Sequence, residues 1–520
     1  MDEHSLQQEL SGFLEDAAHY PGGHAAGIVF PRNTAEAAEV VAGAASLLPI
    51  GAQSSLTGGA TPMGELLVAT SRMTRIVSAT DTSITVEAGV TVAAMQEYLA
   101  GRGACFPPAP TFTGAFAGGI VSTNAAGAAT FKYGSTREWV EAMVVVLADG
   151  TILELARGRQ VARDGWLQID TRSGRLAVPV PTYTMPAVSK RSAGYHAAPG
   201  MDLIDLFIGA EGTLGIVTQV TFRILRPAPQ TALALIPCRS ESEALEVVER
   251  LRSASRETWR TGDGAGIDAA AIEHMDRRSI EILREDGADA RHQVSFPADA
   301  EIALLVQLEL PAETVAAAAY DQIAAALSPG AADTPITRVC RLLNDCGLLD
   351  VTEMALPGDR RRAEQLMAIR EAVPAGVNRR VGAAKRDHDQ RIEKTAADMV
   401  VPGDRFAEMM DIYRRGFGAR GLDFAVWGHI SDGNVHPNVL PRVFEDVLQG
   451  KAAILEFGRE VARLGGCPLA EHGVGRNPVK QALLRQLYGD AGIEEMRAVK
   501  RVLDPGWKLA PGVIFDKAEC

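Results

Sequence analysis

The sequence predicts an α+β protein in two parts, and three observations predict it. Residues 31–227 alternate short β-rich runs with small-residue helices amid dense turn chemistry. The texture changes at Pro227-Ala228-Pro229, and beyond it a strand-then-helix order occurs twice. A chain of 520 residues has room for about two to four domains, and 47% hydrophobic residues support sizeable cores. The division is placed at 25–227 and 228–520.

The amino terminus, MDEHSLQQEL, is acidic and polar, where a signal peptide needs a basic stretch followed by an apolar one. Residues 48–62 and 114–127 are rich in Gly and Ala, while 83–87, 143–147 and 215–225 read as strands. In the second part, 231–237 reads as a strand and 241–252 as an amphipathic helix. The segments 301–310 and 314–327 repeat that order, predicting a sheet with helices on one face. Residues 379–394 mix both charge signs densely and read as a solvated loop or lid. No repeat of fixed period occurs, and the low-complexity stretches are short alanine runs.

Charge and cysteine usage narrow the function classes. Lys and Arg total 52 against 65 Asp and Glu, a net charge of −13, which argues against nucleic acid as a partner. Every long apolar stretch falls short of the roughly 18 residues a membrane span needs, so a cytoplasmic protein is expected. The absence of a basic patch gives no sign of anionic lipid binding, and peripheral attachment to an inner membrane is left open. Cys105, Cys238, Cys340, Cys346, Cys467 and Cys520 lie far apart, without the spacing of an iron–sulfur cluster or structural zinc, and read as reduced packing thiols.

The usual nucleotide fingerprints, GxGxxG after a strand and GxxxxGK[ST], are absent. In their place stands Pro49-Ile50-Gly51-Ala52-Gln53-Ser54-Ser55-Leu56-Thr57-Gly58-Gly59-Ala60. It is so poor in side-chain bulk that successive backbone N–H groups can close around an anion. A glycine-rich turn without a ligand fits this run alone equally well. A second small and intermittently polar run, Gly118-Gly119-Ile120-Val121-Ser122-Thr123-Asn124-Ala125-Ala126-Gly127, is too long for a tight turn and favours a pyrophosphate site.

In the second part, Gly428-His429-Ile430-Ser431-Asp432-Gly433-Asn434-Val435-His436 carries the Asp-Gly hairpin signal. Folding about Asp432-Gly433 would set His429 directly opposite His436, with Cβ atoms about 4.5–5.5 Å apart, close enough for two imidazoles to meet one cation. Glu471-His472 would supply a carboxylate beside another imidazole. A simple cross-strand histidine pair and a surface Glu-His dipeptide fit the spacing as well.

The two loops, Tyr133-Gly134, Phe207-Ile208-Gly209-Ala210-Glu211-Gly212-Thr213-Leu214-Gly215-Ile216-Val217, the His429 hairpin and Glu471-His472-Gly473 resemble, in order and spacing, the vanillyl-alcohol oxidase superfamily. The likeness is to the branch of D-lactate dehydrogenase, the glycolate oxidase flavin subunit and D-2-hydroxyglutarate dehydrogenase. It implies a two-part PCMH-type FAD-binding domain followed by an α+β substrate or cap domain with a ferredoxin-like sheet. FAD contacts are implied at Pro49, Ile50, Gly51, Ala52, Gln53, Ser54 and Ser55, at Gly118, Gly119, Ser122, Asn124 and Gly127, and at Glu211, Gly215, Ile216 and Val217. No His occurs between His24 and His196, so the flavin is expected to be noncovalent. Ala210 and the segment Leu509-Ala510-Pro511-Gly512-Val513 depart from the family's Gly-Ser-Glu-Gly-Thr and Leu-Asn-Pro-Gly-Lys.

The resemblance further implies His429, His436 and Glu471 as metal ligands, His472 as the base, Arg370 as a carboxylate clamp and Asn438 in the same pocket. Mixed N/O ligation suits zinc, with manganese, cobalt or iron as alternatives. The implied reaction is oxidation of a D-2-hydroxy acid to the 2-oxo acid by hydride transfer to flavin N5. The electrons pass to an external acceptor such as a cytochrome, quinone or electron-transfer flavoprotein. D-lactate is favoured, because Ala396 and Pro374 stand where dicarboxylate-specific relatives differ, and Lys394 would replace the missing Lys only if the chain bulged. D-2-hydroxyglutarate or glycolate oxidation, a nonredox transferase resembling alkyl-dihydroxyacetonephosphate synthase and a noncatalytic flavin subunit are the alternatives. A homodimer is also left open.

Overall fold

The computed structural model describes residues 10–108 and 110–516; the first nine residues and Cys520 lie outside them. Contacts divide the chain into two units: residues 1–127, 134–226 and 461–520 form the first, and residues 128–133 with 227–460 the second.

The first unit holds two principal sheets. Strands β1 (Gly27–Val29), β2 (Leu47–Ile50) and β3 (Leu66–Ala69) are parallel in the order β1-β3-β2. The second sheet contains β4 (Ile76–Ala79), β5 (Ser83–Glu87), β6 (Val140–Val146), β7 (Ile152–Ala156) and β10 (Ile216–Arg223). It is antiparallel in the order β4-β5-β10-β6-β7, and β8 (Trp166–Thr171) and β9 (Gly174–Pro179) pair apart from it. The second Gly/Ala run, read as one loop, begins as the helix Ala117–Ser122 and then turns through Asn124 at φ +48°.

The sequence division runs 228–520 as one piece, whereas residues 461–520 pack with the first unit. Leu47 and Leu509 form a parallel bridge, with the Leu47 N–H donating to the Lys508 carbonyl and the Ala510 N–H to the Leu47 carbonyl. Fully buried Lys500 donates to the carbonyls of Thr213 and Leu509 and to the Asp504 carboxylate, at 2.8–2.9 Å. Arg476 donates to the carbonyls of Thr61 and Pro511 and to Glu65. Buried charges need this many acceptors, and the acceptors lie far back in the sequence.

The second unit is built on one large sheet. It contains β11 (Gln230–Cys238), β12 (Ala269–Asp276), β13 (Ile302–Leu310), β14 (Glu353–Ala355), β15 (Thr395–Ala396), β17 (Phe424–His429) and β18 (Asn434–Val439), in the order β14-β11-β13-β12-β17-β18-β15. The short β16 (Met399–Val400) pairs with β18. Leu233, Leu235, Met275, Leu305 and Trp427 on one face pack on the helices Arg277–Glu285 and Arg360–Asp387. On the other face His274 meets Phe406 of the helix Phe406–Gly418, so helices cover both faces rather than one. The near-continuous burial of β11, β12 and β13 follows from that double cover.

Residues 379–387, read as part of a solvated loop, continue the helix Arg360–Asp387. Leu366, Ile369, Val373, Val377, Val381 and Ala384 recur at helical spacing and stay buried, while the charges take the outer face. Among the described residues no helix is long and apolar enough to cross a membrane, and five cysteines are free. Lys500→Ala should strand Asp504 and cost about 3–5 kcal/mol. Denaturant unfolding measures this, and an unchanged midpoint would show that Lys500 does not anchor the carboxy-terminal segment.

Candidate active site

In the first unit a cavity of about 310 Å³ is walled by 49–56, 118–126, 211–217 and the pair Glu471 and His472. Fourteen residues expected at FAD line it: Pro49, Ile50, Gly51, Ala52, Gln53, Ser54, Ser55, Gly118, Gly119, Ser122, Glu211, Gly215, Ile216 and Val217. Asn124 and Gly127 do not. The Asn124 side-chain oxygen Oδ1 instead accepts from the Ser135 hydroxyl and the Arg137 backbone N–H, holding the turn behind the wall. Thr70, Phe112 and Phe116 also line the cavity and were missed, because single residues outside the glycine runs carry no pattern.

The wall is glycine-dependent where backbones approach. A Cβ at Gly118 would come within 2.8 Å of the Ala88 Cβ, and one at Gly212, where φ is +74°, within 2.6 Å of Pro49. Gln53, at φ +50°, donates through its amide to the carbonyls of Phe13 and Ala60, so its side chain fastens the loop that lines the cavity. The Ser122 hydroxyl likewise donates to the Gly118 carbonyl. This small-residue cradle, poor in side-chain bulk along its glycine runs, suits a dinucleotide.

Glu211 has a different task from the one its position suggests. Its carboxylate accepts the N–H groups of Val474 and Gly475, each at 2.8 Å, tying the cavity wall to the loop after Glu471 and His472. Burial pushes its pKa up to about 7, and the two N–H donors with Lys480 oppose the rise. The Glu471 carboxylate sits between two bases: Oε2 is 3.0 Å from Lys190 Nζ and Oε1 is 3.5 Å from His472 Nε2. Lys190 was not singled out in the sequence; the basic pair Lys190-Arg191 in a loop is a weak signal.

In the second unit the hairpin register differs from the expected one. Residues Ile430–Asp432 form a 3₁₀ turn closed by Gly433 at φ +80°, so His429 pairs with Asn434 and His436 with Trp427. A two-residue turn would have left Ser431 and Asn434 as the last pair; the 3₁₀ turn instead takes up residues 430–432. The imidazoles therefore meet diagonally, with ring centroids 5.7 Å apart and planes nearly perpendicular.

Strand alternation continues the apolar face into a polar cluster. Met275 gives way to Glu273 on β12, Trp427 to His429 on β17, and Leu440 to Asn438 and His436 on β18. Glu273 lies directly opposite His429 and accepts from it, Oε1 to Nδ1 at 2.5 Å, and from Arg370 Nε to Oε2 at 2.9 Å. Burial disfavours its charge, but the Arg370 guanidinium and His429 outweigh that and hold the carboxyl well below the usual range. An imidazole that donates Nδ1–H to a carboxylate presents its Nε2 lone pair, the arrangement of a metal-ligating histidine.

His436 Nδ1 lies 3.5 Å from Asp398, which also accepts from the Asn434 amide at 3.2 Å. Asn438 donates to the His436 carbonyl, and its buried side-chain oxygen accepts no hydrogen bond. Ala396 of β15 stands directly opposite Asn438. Pro374 sits within the helix Arg360–Asp387 four residues after Arg370, so it withholds the N–H that would have met the Arg370 carbonyl.

Two family models match the chain. One, for an FAD binding domain, covers residues 25–156; the other, for FAD linked oxidases, C-terminal domain, covers residues 232–514, more than half of the sequence. The chain belongs to the FAD-linked oxidases. It is an oxidoreductase of that family, with a two-domain FAD-binding fold.

Among its relatives, a D-2-hydroxyglutarate dehydrogenase of Xanthomonas citri pv. viticola is 28% identical, over 94% of this chain and 89% of that one. A glycolate oxidase subunit of Bacillus subtilis is 27% identical over the same shares. A D-lactate dehydrogenase of Archaeoglobus fulgidus is 26% identical over 94% and 91%. A solved 4-ethylphenol oxidase of Gulosibacter chungangensis shares the fold at a TM-score of 0.65 and 16% identity, covering 99% of this chain and 94% of its own.

The Glu211 proton gives a pH signature. Unfolded chains release it near pH 4.5 while the folded protein keeps it to about 7, so the folded state loses stability as pH rises across that window and no further above it. Glu211→Gln removes that loss. The thermal midpoint of the variant relative to the parent should therefore improve from pH 5 to pH 8; a constant difference would show that Glu211 is ionised throughout.

Proposed function

We propose that this FAD-linked oxidase oxidises a D-2-hydroxy acid, D-lactate in preference to a dicarboxylate, to the 2-oxo acid and hands the electrons to an external acceptor. The observation that carries the reading is the buried imidazole pair of His429 and His436, with His429 oriented by Glu273. Two such lone pairs and a carboxylate form a donor set suited to a divalent cation, zinc foremost. In this reading His429, His436 and Glu471 hold the cation and noncovalent FAD occupies the small-residue cradle. Relatives named for D-2-hydroxyglutarate, glycolate and D-lactate all act on 2-hydroxy acids, which supports the substrate class.

Bound FAD supplies the two-electron acceptor. The cation supplies a Lewis acid toward the substrate's oxygens. The chain's own side chains do the remainder. His472, beside Glu471, accepts the hydroxyl proton. Arg370 uses Nε on Glu273, and its terminal nitrogens clamp the substrate carboxylate as a planar two-pronged donor. The Asn438 amide orients the bound acid. Ala396, opposite Asn438, gives a distal carboxylate no cation, and Lys394, just before β15, stays exposed to solvent.

His472→Ala should retain flavin and metal while anaerobic flavin reduction by D-lactate falls by about 10²–10⁴. Near-normal reduction in rapid-mixing absorbance would remove His472 as the base. His429→Ala and His436→Ala should instead lower metal content by elemental analysis, and stoichiometric metal in both would end the ligand assignment. Ala396→Lys should shift the kcat/KM ratio toward D-2-hydroxyglutarate; an unchanged ratio would place the specificity determinant elsewhere.

A further inference from the structure

The Lys190 side chain is completely buried, which costs several kcal/mol unless matched by an anion and further acceptors. Its ammonium lies 3.0 Å from Glu471 Oε2. Two residues on, the Ser192 N–H donates to the carbonyls of Leu469 and Ala470, at 3.1 and 2.9 Å, so the segment around Lys190 runs alongside the residues that lead into Glu471. Beyond His472 the Glu211 carboxylate holds Val474 and Gly475. The Glu471 loop is thus fixed by its backbone on both sides and by its side chain at one oxygen.

The two carboxylate oxygens are therefore not equivalent. Oε2 faces Lys190 and Oε1 faces His472. We propose that Lys190 is a positioning residue for metal binding: it holds Glu471 Oε2, so that Oε1 alone ligates the cation, on the side where His472 works. The inference rests on the metal reading given under Proposed function and deepens it.

Charge balance gives the arrangement a second consequence. Lys190 neutralises Glu471, and in the second unit Arg370 neutralises Glu273. Glu471, the one carboxylate assigned to the cation, therefore has its own counter-charge. A divalent ion held there keeps its positive charge for an incoming anion, as an acid substrate requires. An alternative in which Lys190 serves only to fill and stabilise the first unit predicts effects that do not pass through Glu471.

A double-mutant cycle on the flavin-loaded, metal-stripped protein separates these, with Mn²⁺ binding followed by calorimetry and electron paramagnetic resonance. Glu471→Gln should weaken Mn²⁺ binding, and Lys190→Met should weaken it by about 10–100-fold with FAD content unchanged, as loss of an outer partner of a ligating carboxylate does. The double variant should match Glu471→Gln to within about twofold. Lys190→Gln, which keeps a donor to Oε2 without charge, should fall between Lys190→Met and the parent and serves in place of Lys190→Met should that variant fail to hold FAD.

Parent-like Mn²⁺ affinity in Lys190→Met, or losses that add in the double variant, would overturn the positioning role while leaving the metal reading intact. Parent-like affinity in Glu471→Gln would remove Glu471 from the metal and overturn both.

Discussion

The carboxylate of Glu211 is the tie on which the first unit depends. It sits in the wall of the small-residue cavity, yet both its oxygens take N–H groups from Val474 and Gly475, more than 260 positions later in the chain. That pair of bonds brings Glu471 and His472 to the cavity and explains why the last sixty residues fold with the amino-terminal part. Lys500 and Arg476 secure the same segment through carbonyls and carboxylates of the first unit. A chemistry-bearing loop fixed this way loses little conformational freedom when ligands arrive.

The second unit solves a parallel problem with Glu273. Strand alternation delivers His429, His436 and Asn438 to the end of an apolar face, where they would be buried polar groups without cause. Glu273 meets both His429 and Arg370, fixing the ring's tautomer and the guanidinium's orientation at once. The helix Arg360–Asp387 supplies Arg370 because its apolar stripe packs on the same sheet face. Each unit therefore pairs a cation with a buried carboxylate beside the residues assigned to the reaction: Lys190 with Glu471, and Arg370 with Glu273.

The glycine loops and the histidine pair were legible in the sequence because close backbone approach and paired imidazoles demand particular residues at particular spacings, whereas the Glu211–Val217 segment stood out only through the family resemblance. The helix continuing through residues 379–387 was obscured by surface charge, though its buried stripe kept helical period. Strand β12 was missed: Ala-Ala-Ala-Ile-Glu-His-Met-Asp carries little β propensity, and only its neighbours β13 and β17 make it a strand. With β12 unseen, the pairing of Glu273 with His429, 156 residues apart, was out of reach. The hairpin register failed for a local reason, since Asp-Gly marks a turn without fixing how many residues precede it. Lys190 and the true partners of Glu211 depend on long-range packing that no motif announces.

The proposed reaction joins a flavin, a divalent cation and a D-2-hydroxy acid. Its most direct test is an anaerobic visible-spectrum titration of the metal-analysed protein with D-lactate, L-lactate, glycolate and D-2-hydroxyglutarate, before and after chelator treatment. The expected result is bleaching of an oxidised flavin spectrum by D-lactate ahead of the others, lost after chelation and restored by added metal. Bleaching that survives complete metal removal, or a flavin that none of the four acids reduces, would contradict it.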